Sequence, residues 1–402
     1  MSHFWHGDAM AVKTPPSIPL AAASARVGSS AIRDLLAITE QPRVISMAGG
    51  LPLASAFPVE AIAAATAAEL REEPGAGLQY STTAGHRPLR AWVAAQQGAQ
   101  EDRVVVTNGS QQALELVLRT LVDPGATVAL ADPAYVGALQ ALRLNGADLL
   151  PIPSDGDGLC VDVLADCLAA GARPAVVYVV SSFDNPTGAT LSAERRRALA
   201  DLADRYGFVV VDDDPYAELR WAGARPAPLA SMSDRVITLG STSKVLCPGL
   251  RVGWAVAPAA VTAHLVLLKQ ATDLHTATLN QRVVHRVLTT PGFLDDHLPR
   301  LRATYAVHAR ALSTALRDQL GDRLSFAPPQ GGMFVWANAP GLDPEALLPV
   351  AVAHGTAFVP GVAFSVTGQP TEALRLSFAT ADPDRLTEAT ARLATAIHSL
   401  DP

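Results

Sequence analysis

Between residues 104 and 257 the chain alternates short, wholly apolar runs with Ala- and Leu-rich segments of helical spacing, and this alternation constrains the fold most. The apolar runs are 104–106, 128–130, 175–180, 208–211, 236–239 and 252–257; helical segments between them include 112–121, 136–144 and 193–205. A strand that is apolar at every position must be covered on both faces, and parallel strands need a crossover between them. The expected fold class is therefore α/β, a three-layer αβα arrangement around a mostly parallel central sheet. Longer helical stretches are expected over about 258–288 and 293–320. Strands at 333–337 and 374–378, with helices at 344–354 and 382–400, then predict a smaller α+β domain. The expected division is an arm and helix (1–50, the helix near 29–38) packing with the small domain, a large domain (51–292) and a small C-terminal domain (293–402).

Hydrophobic residues make up 49% and charged residues 17% of the 402 positions, below the roughly 25% charge of an average soluble chain, which excludes disorder. The net charge of −7 excludes a nucleic-acid partner, which needs clustered cations. The one dense basic cluster, Arg195, Arg196 and Arg197, reads as a solvated helix face. No apolar run reaches the ~18 residues of a membrane span, and the opening MSHFWHGDAM has neither a basic nor an apolar leader segment. The expectation is a cytoplasmic chain with no membrane partner. Cys160, Cys167 and Cys247 lack paired spacing, so neither a disulfide framework nor a metal site is expected, and they read as buried small hydrophobes. Of 31 basic residues only three are lysines: Lys13, Lys244 and Lys269.

In a doubly wound sheet, ligands bind beyond the carboxyl ends of the strands. Five consecutive strand exits here carry polar clusters: TNGSQ (107–111), DPAY (132–135), FDNPTG (183–188), DDDPY (212–216) and GSTSK (240–244). Singly, each is a plausible turn or cap; together at one edge they form a site. Asn108-Gly109-Ser110-Gln111 opens a helix, whose free amides and dipole suit a phosphate. Ser241, Ser243 and Arg251 add hydroxyls and a guanidinium, again suited to a phosphate, and Lys244 suits a Schiff base with a carbonyl cofactor. Asp213, at the end of an apolar strand, needs a cationic partner, which a protonated pyridine nitrogen supplies. Tyr216 and Asn185 suit the phenolic oxygen of such a ring, and Tyr135 offers a face on which it can stack. Lys13 lies in an irregular arm and Lys269 mid-helix, with no phosphate-binding turn expected near either.

The motifs SFDNPTG, VVDDDPYAEL, GSTSKVLCPGLRVGW, PQGGMFVW and LRLSF resemble those of fold-type I, class I/II pyridoxal-phosphate aminotransferases. The likeness extends to AGG at 48–50, Phe57-Pro58 and LQYSTTAGHRPLR at 78–90, so it covers nearly all of the chain from Ser29. It is nearest the branch of 2-aminoadipate, kynurenine and aromatic or branched-chain aminotransferases. The resemblance implies pyridoxal 5'-phosphate (PLP) held in the large domain through an internal aldimine on Lys244, which also serves as the proton-shift base. It implies that Asp213 pairs with the pyridine nitrogen, Asn185 and Tyr216 hold the ring oxygen, and Tyr135 stacks on the ring. Ser110, Gln111, Ser241, Ser243 and Arg251 take the phosphate, and Tyr80 reaches the phosphate of a partner subunit, implying a homodimer with shared sites. Arg375 clamps the substrate carboxylate, and Gly50 and Asn185 meet the substrate. Two departures from the family pattern are Ser81 after Tyr80 and Asp184 before Asn185. Arg33 is a candidate for a distal substrate carboxylate, though it reads more simply as a solvated helix arginine.

The implied activity is transfer of an amino group between an L-amino acid and a 2-oxo acid. The alternative is another PLP-dependent reaction on the same scaffold (β-elimination, cyclisation or oxidation). A ligand-sensing regulator is disfavoured because residues before Ser29 form no DNA-binding module, and a nicotinamide dehydrogenase because no GxGxxG follows a strand.

Overall fold

The computed structural model describes residues 43–400 and, ahead of them, Ala21, Ala22, Ser24–Arg26 and Gly28. Lys13, Arg33 and the helix expected near 29–38 lie outside the described residues. Among those described, eight strands form the central sheet: β1 (Val104–Thr107), β2 (Thr127–Asp132), β3 (Asp148–Asp155), β4 (Gly158–Leu159), β5 (Val176–Val179), β6 (Val209–Asp213), β7 (Val236–Ser241) and β8 (Gly253–Val256). Their spatial order is β1-β8-β7-β6-β5-β2-β3-β4. The pairs β2/β3, β2/β5, β5/β6 and β6/β7 are parallel, whereas β8 runs antiparallel to both β1 and β7. β1 and β5 are buried along their whole length, as strands covered on both faces require.

Helices α1 (Val59–Glu72), α2 (Arg87–Gln97), α3 (Gly109–Leu121), α4 (Val136–Asn145), α5 (Val161–Ala169), α6 (Ala193–Tyr206), α7 (Ala259–Thr272) and α8 (Thr278–Thr289) accompany this sheet. α6 shows why the sequence folds as it does: the Ser192 hydroxyl accepts the Arg195 N–H, and Gly207 ends the helix at φ 85°, a conformation that suits a residue without Cβ. α9 (Phe293–Leu320) leads to an antiparallel sheet of order β9-β10-β12-β11, formed by β9 (Ser325–Phe326), β10 (Phe334–Asn338), β11 (Val359–Pro360) and β12 (Ala373–Ser377). α10 (Pro344–Ala353) and α11 (Pro383–His398) complete it, each with Pro in its first turn after a capping Asp. Leu312, Leu316, Leu386 and Leu393 are fully buried between α9 and α11, each burial contributing about 1.5–3 kcal/mol. Ile45–Ser46 pairs in parallel with Thr356–Ala357, and Ser377 donates to the Met47 carbonyl at 2.7 Å. Residues 43–50 are thereby fastened beside the small sheet.

The structure departs from expectation in places. The 258–288 stretch is two helices, because Asp273 leaves helical geometry and Leu274 adopts φ 65°. β3 carries Pro151 and Pro153, which hid it from a strand reading. Arg196 is buried rather than solvated; it donates to the carbonyls of Leu191 and Ser181 at 2.9 and 2.6 Å. The three cysteines are half-buried rather than buried.

The register places Gly253 opposite both Thr107 of β1 and Ser241 of β7. A Cβ there would lie 2.5 Å from the Gly109 carbonyl carbon and 2.6 Å from the Ser110 nitrogen. Gly253→Ala should therefore push the start of α3 off β8 and cost about 1–3 kcal/mol. Chemical denaturation checks this, and wild-type stability of the variant would contradict it.

Candidate active site

The exits of β1, β2, β5, β6 and β7 face one cavity of about 330 Å³, within the range of small-molecule sites. Its walls include Gly50, Ser110, Gln111, Tyr135, Asn185, Asp213, Tyr216, Ser241, Ser243, Lys244, Arg251 and Arg375. Those are the residues expected from the sequence, except Tyr80. Tyr80 is 78% exposed and lies outside the cavity walls, its ring edge-on to His275 at 5.7 Å.

At one end of the cavity α3 begins. Its cap residue Asn108 makes no side-chain bond to the first turn, and helix geometry gives the leading amides no intrahelical acceptor. Arg251, in the left-handed region at φ 54°, donates to the Asn108 carbonyl at 3.1 Å. Ser241 Oγ donates to Ser243 Oγ at 2.8 Å and accepts the Ser243 N–H at 3.0 Å. The Gln111 side chain does not point along this cradle: Nε2 donates to the Gly137 carbonyl at 3.0 Å, and Oε1 accepts the Tyr135 hydroxyl at 3.4 Å. A Cβ at Gly137 would lie 2.5 Å from the Tyr135 ring, so the missing side chain is what lets that ring lie against the helix start.

At the floor, Asp213 is buried. Tyr178, from the middle of β5, donates to its Oδ2 at 3.0 Å. Its Oδ1 is buried and takes no hydrogen bond. Burial, opposed by the Tyr178 bond and assisted by the Asp214 charge, pushes the carboxyl up to about 7. The sequence reading missed Tyr178, which looks like one more apolar strand residue; its phenol was the only available signal.

At the other end, Arg375 is 1% exposed. It donates to Asn185 Oδ1 at 2.7 Å and to the Ala48 carbonyl. Its guanidinium lies 4.3 Å from the Phe334 ring centre and 4.9 Å from that of Phe364, favourable cation–π contacts. Asp184, the family departure, is buried and directed to Thr187, whose hydroxyl donates to it at 2.7 Å. Burial raises its carboxyl to about 6.

Lys244 Nζ donates to the Gly50 carbonyl at 2.9 Å. Burial, and then the charges of Arg375 and Arg251, lower its amine to about 8, while Asp213 opposes the shift. A neutral amine is the nucleophile, so this brings Lys244 within reach of carbonyl chemistry near neutral pH.

The residues fit one kind of group. The unpartnered Asp213 oxygen calls for a cationic donor, the α3 start with Arg251 calls for an anion, and the lysine amine calls for a carbonyl. Together they define a site for a phosphorylated pyridine aldehyde.

The comparisons with known proteins agree. The family profile for aminotransferase class I and II matches residues 44–393. A 2-aminoadipate transaminase of Thermus thermophilus is 42% identical over 93% of this chain and 95% of its own length. An aromatic-amino-acid aminotransferase of Thermococcus litoralis is 37% identical over 92% of this chain and 91% of its own. The crystal structure of an α-aminoadipate aminotransferase from T. thermophilus, complexed with N-(5'-phosphopyridoxyl)-L-leucine, superposes with a TM-score of 0.89 at 41% identity, covering 95% of this chain and 97% of that one. The chain belongs to the class I and II aminotransferases, PLP-dependent enzymes that move amino groups between amino acids and 2-oxo acids. No helix among its described residues is long and apolar enough to cross a membrane.

The depressed Lys244 amine is open to measurement. Competitive acetylation of the cofactor-free protein across pH should give a labelling midpoint near 8 for this residue rather than the ordinary 10.5. Asp213→Asn removes an anion that favours the ammonium and should move the midpoint lower. A midpoint near 10.5 in the unmodified chain would contradict the burial argument.

Proposed function

We propose that the cavity holds PLP and carries out transamination with the roles the resemblance implies. The observation behind this is the convergence of Lys244, Asp213 and Arg375 on one cavity. When bound, PLP supplies a carbonyl for amine exchange and an electron-accepting ring. Ser110, Ser241, Ser243, Arg251 and the first amides of α3, including that of Gln111, hold its phosphate. Asp213 pairs with the ring nitrogen, its ionised form supported by the Tyr178 hydroxyl. Asn185 and Tyr216 hold the ring oxygen, and Tyr135 covers one ring face. Arg375 binds the substrate carboxylate through two parallel donors, a task for which a planar fork suits better than an ammonium. Lys244 Nζ would serve as the base that takes the proton at the substrate Cα.

The cavity walls among the described residues contain two arginines, Arg251 at the phosphate end and Arg375 at the carboxylate end, beside Leu51, Val136, Val180 and Pro215. Those apolar walls suit an uncharged side chain, so we assign the chain to amino donors of that kind. The leucine adduct carried by the structural relative supports this.

We further propose that two copies share their sites. Tyr80 and Leu78 are 78% and 70% exposed, on a segment apart from the cavity walls. That exposure is costly for side chains of their size and suits a subunit contact. In this reading the phosphate-directed role of Tyr80 falls in the neighbouring copy.

Lys244→Ala should lose the long-wavelength absorbance of the bound cofactor; persistence of that band would overturn the lysine assignment. Arg375→Lys should lower kcat/KM for amino donors by about 10- to 100-fold, the loss of one charged hydrogen bond. Leucine and phenylalanine should convert the protein to its pyridoxamine form more efficiently than glutamate or 2-aminoadipate. Preference for the dicarboxylates would overturn the neutral-donor assignment.

A further inference from the structure

Lys269, in the last turn of α7, is fully buried. A buried ammonium needs partners, and here it has three hydrogen bonds. They run to Gln112 Oε1 at 2.8 Å and to the two oxygens of Asp273 at 2.9 and 3.0 Å. Asp273 Oδ2 also accepts Gln112 Nε2 at 2.7 Å and Asn108 Nδ2 at 2.6 Å. Gln112 Oε1 accepts in addition the Asn108 N–H at 2.8 Å. Two of these partners, Asn108 and Gln112, frame the start of α3. The sequence reading placed no phosphate-binding turn near Lys269; the fold puts this lysine directly behind one.

Asn is among the strongest helix caps because its side-chain oxygen normally accepts an amide of the first turn. Asn108 occupies that position and makes no such bond. Its side chain is engaged as a donor to Asp273 instead. An Asn that capped α3 would compete for the same amides that an anion must use. The pair itself carries no net charge, so its effect is one of orientation, not of long-range attraction.

We infer that Lys269 and Asp273 are positioning residues for the phosphate-binding turn: by holding the Asn108 side chain as a donor, they keep it from capping α3 and leave the leading amides to the anionic end of the cofactor. The inference rests on the reading of the cavity as a PLP site. Arg251 closes the arrangement, since its guanidinium bonds the Asn108 carbonyl and is thereby aligned by the same anchored residue.

The test is equilibrium dialysis of the cofactor-free protein against pyridoxal 5'-phosphate and against pyridoxal, which lacks the phosphate. Lys269→Met combined with Asp273→Leu replaces the ion pair by apolar side chains, which avoids leaving one charge buried alone. Asn108→Ser supplies a strong cap too short to reach Asp273, and Asn108→Ala supplies none, so this pair decides the matter if the paired variant does not fold. The paired variant and Asn108→Ser should each weaken pyridoxal 5'-phosphate about tenfold or more with pyridoxal affinity unchanged, whereas Asn108→Ala should bind both ligands as the unmodified chain does. Adding Asn108→Ala to the paired variant should restore its affinity, because the side chain that would cap is gone. Unchanged pyridoxal 5'-phosphate affinity in the paired variant or Asn108→Ser, equal weakening toward both ligands, weakening by Asn108→Ala, or no restoration in the triple variant would each overturn the inference. Failure of the unmodified chain to bind pyridoxal 5'-phosphate would instead overturn the reading of the site.

Discussion

The site depends on one close backbone approach. β8 enters the sheet antiparallel between β1 and β7, and its first residue, Gly253, lies opposite the last residues of both. Neighbouring strands are about 4.8 Å apart, so the two donor turns after β1 and β7 stand roughly 10 Å apart with β8 between them. A side chain on Gly253 would enter the Gly109–Ser110 backbone. Without one, the start of α3 settles onto β8, and Arg251, two residues before Gly253, reaches back to the Asn108 carbonyl. One antiparallel strand thus gathers helix amides, hydroxyls and a guanidinium at a single point.

The charges of the cavity follow from that gathering. Lys244, Arg251 and Arg375 line it with Asp213 as the carboxylate among the named wall residues. Burial pushes the Asp213 carboxyl up and the Lys244 amine down, so each charge is held below its full expression in the cofactor-free chain. The excess is positive at both ends, with a lone carboxylate on the floor. A ligand pair suited to this field carries a phosphate at one end, a carboxylate at the other and a protonated ring nitrogen between. Such a pair neutralises every one of these groups, so the field of the cavity already describes cofactor and substrate together.

Most of this was legible in the sequence because it rests on strand exits. Apolar runs of three to six residues fix where strands end, and polar residues immediately beyond must then lie along one edge. What stayed hidden depends on tertiary contact. Tyr178 looks like a strand residue until its hydroxyl meets Asp213 across one strand spacing. Pro151 and Pro153 disguise β3, which tolerates them near the edge of the sheet. Apolar spacing joined α7 to α8, and only the engagement of the Asp273 carboxylate by Lys269, Gln112 and Asn108 shows why the helix gives way there.

The scarcity of lysine acquires a physical meaning from the two that the structure describes. Arginine fills nearly every basic position, yet neither Lys244 nor Lys269 is replaceable by it on chemical grounds. A guanidinium stays protonated throughout the accessible pH range and supplies no free amine, so it cannot take the role of Lys244. In the Lys269 socket, three acceptor contacts converge on a single nitrogen within 3.0 Å. A planar fork spreads its donors over several ångströms and has no room to do so where the side chain is fully enclosed. The Lys269 position requires a compact cation that tetrahedral geometry can aim at several acceptors, and the Lys244 position requires a primary amine that can shed its proton. In the proposed reading they serve one apparatus: the Lys244 amine would face the reacting carbon, and Lys269 would fix the turn that holds the phosphate.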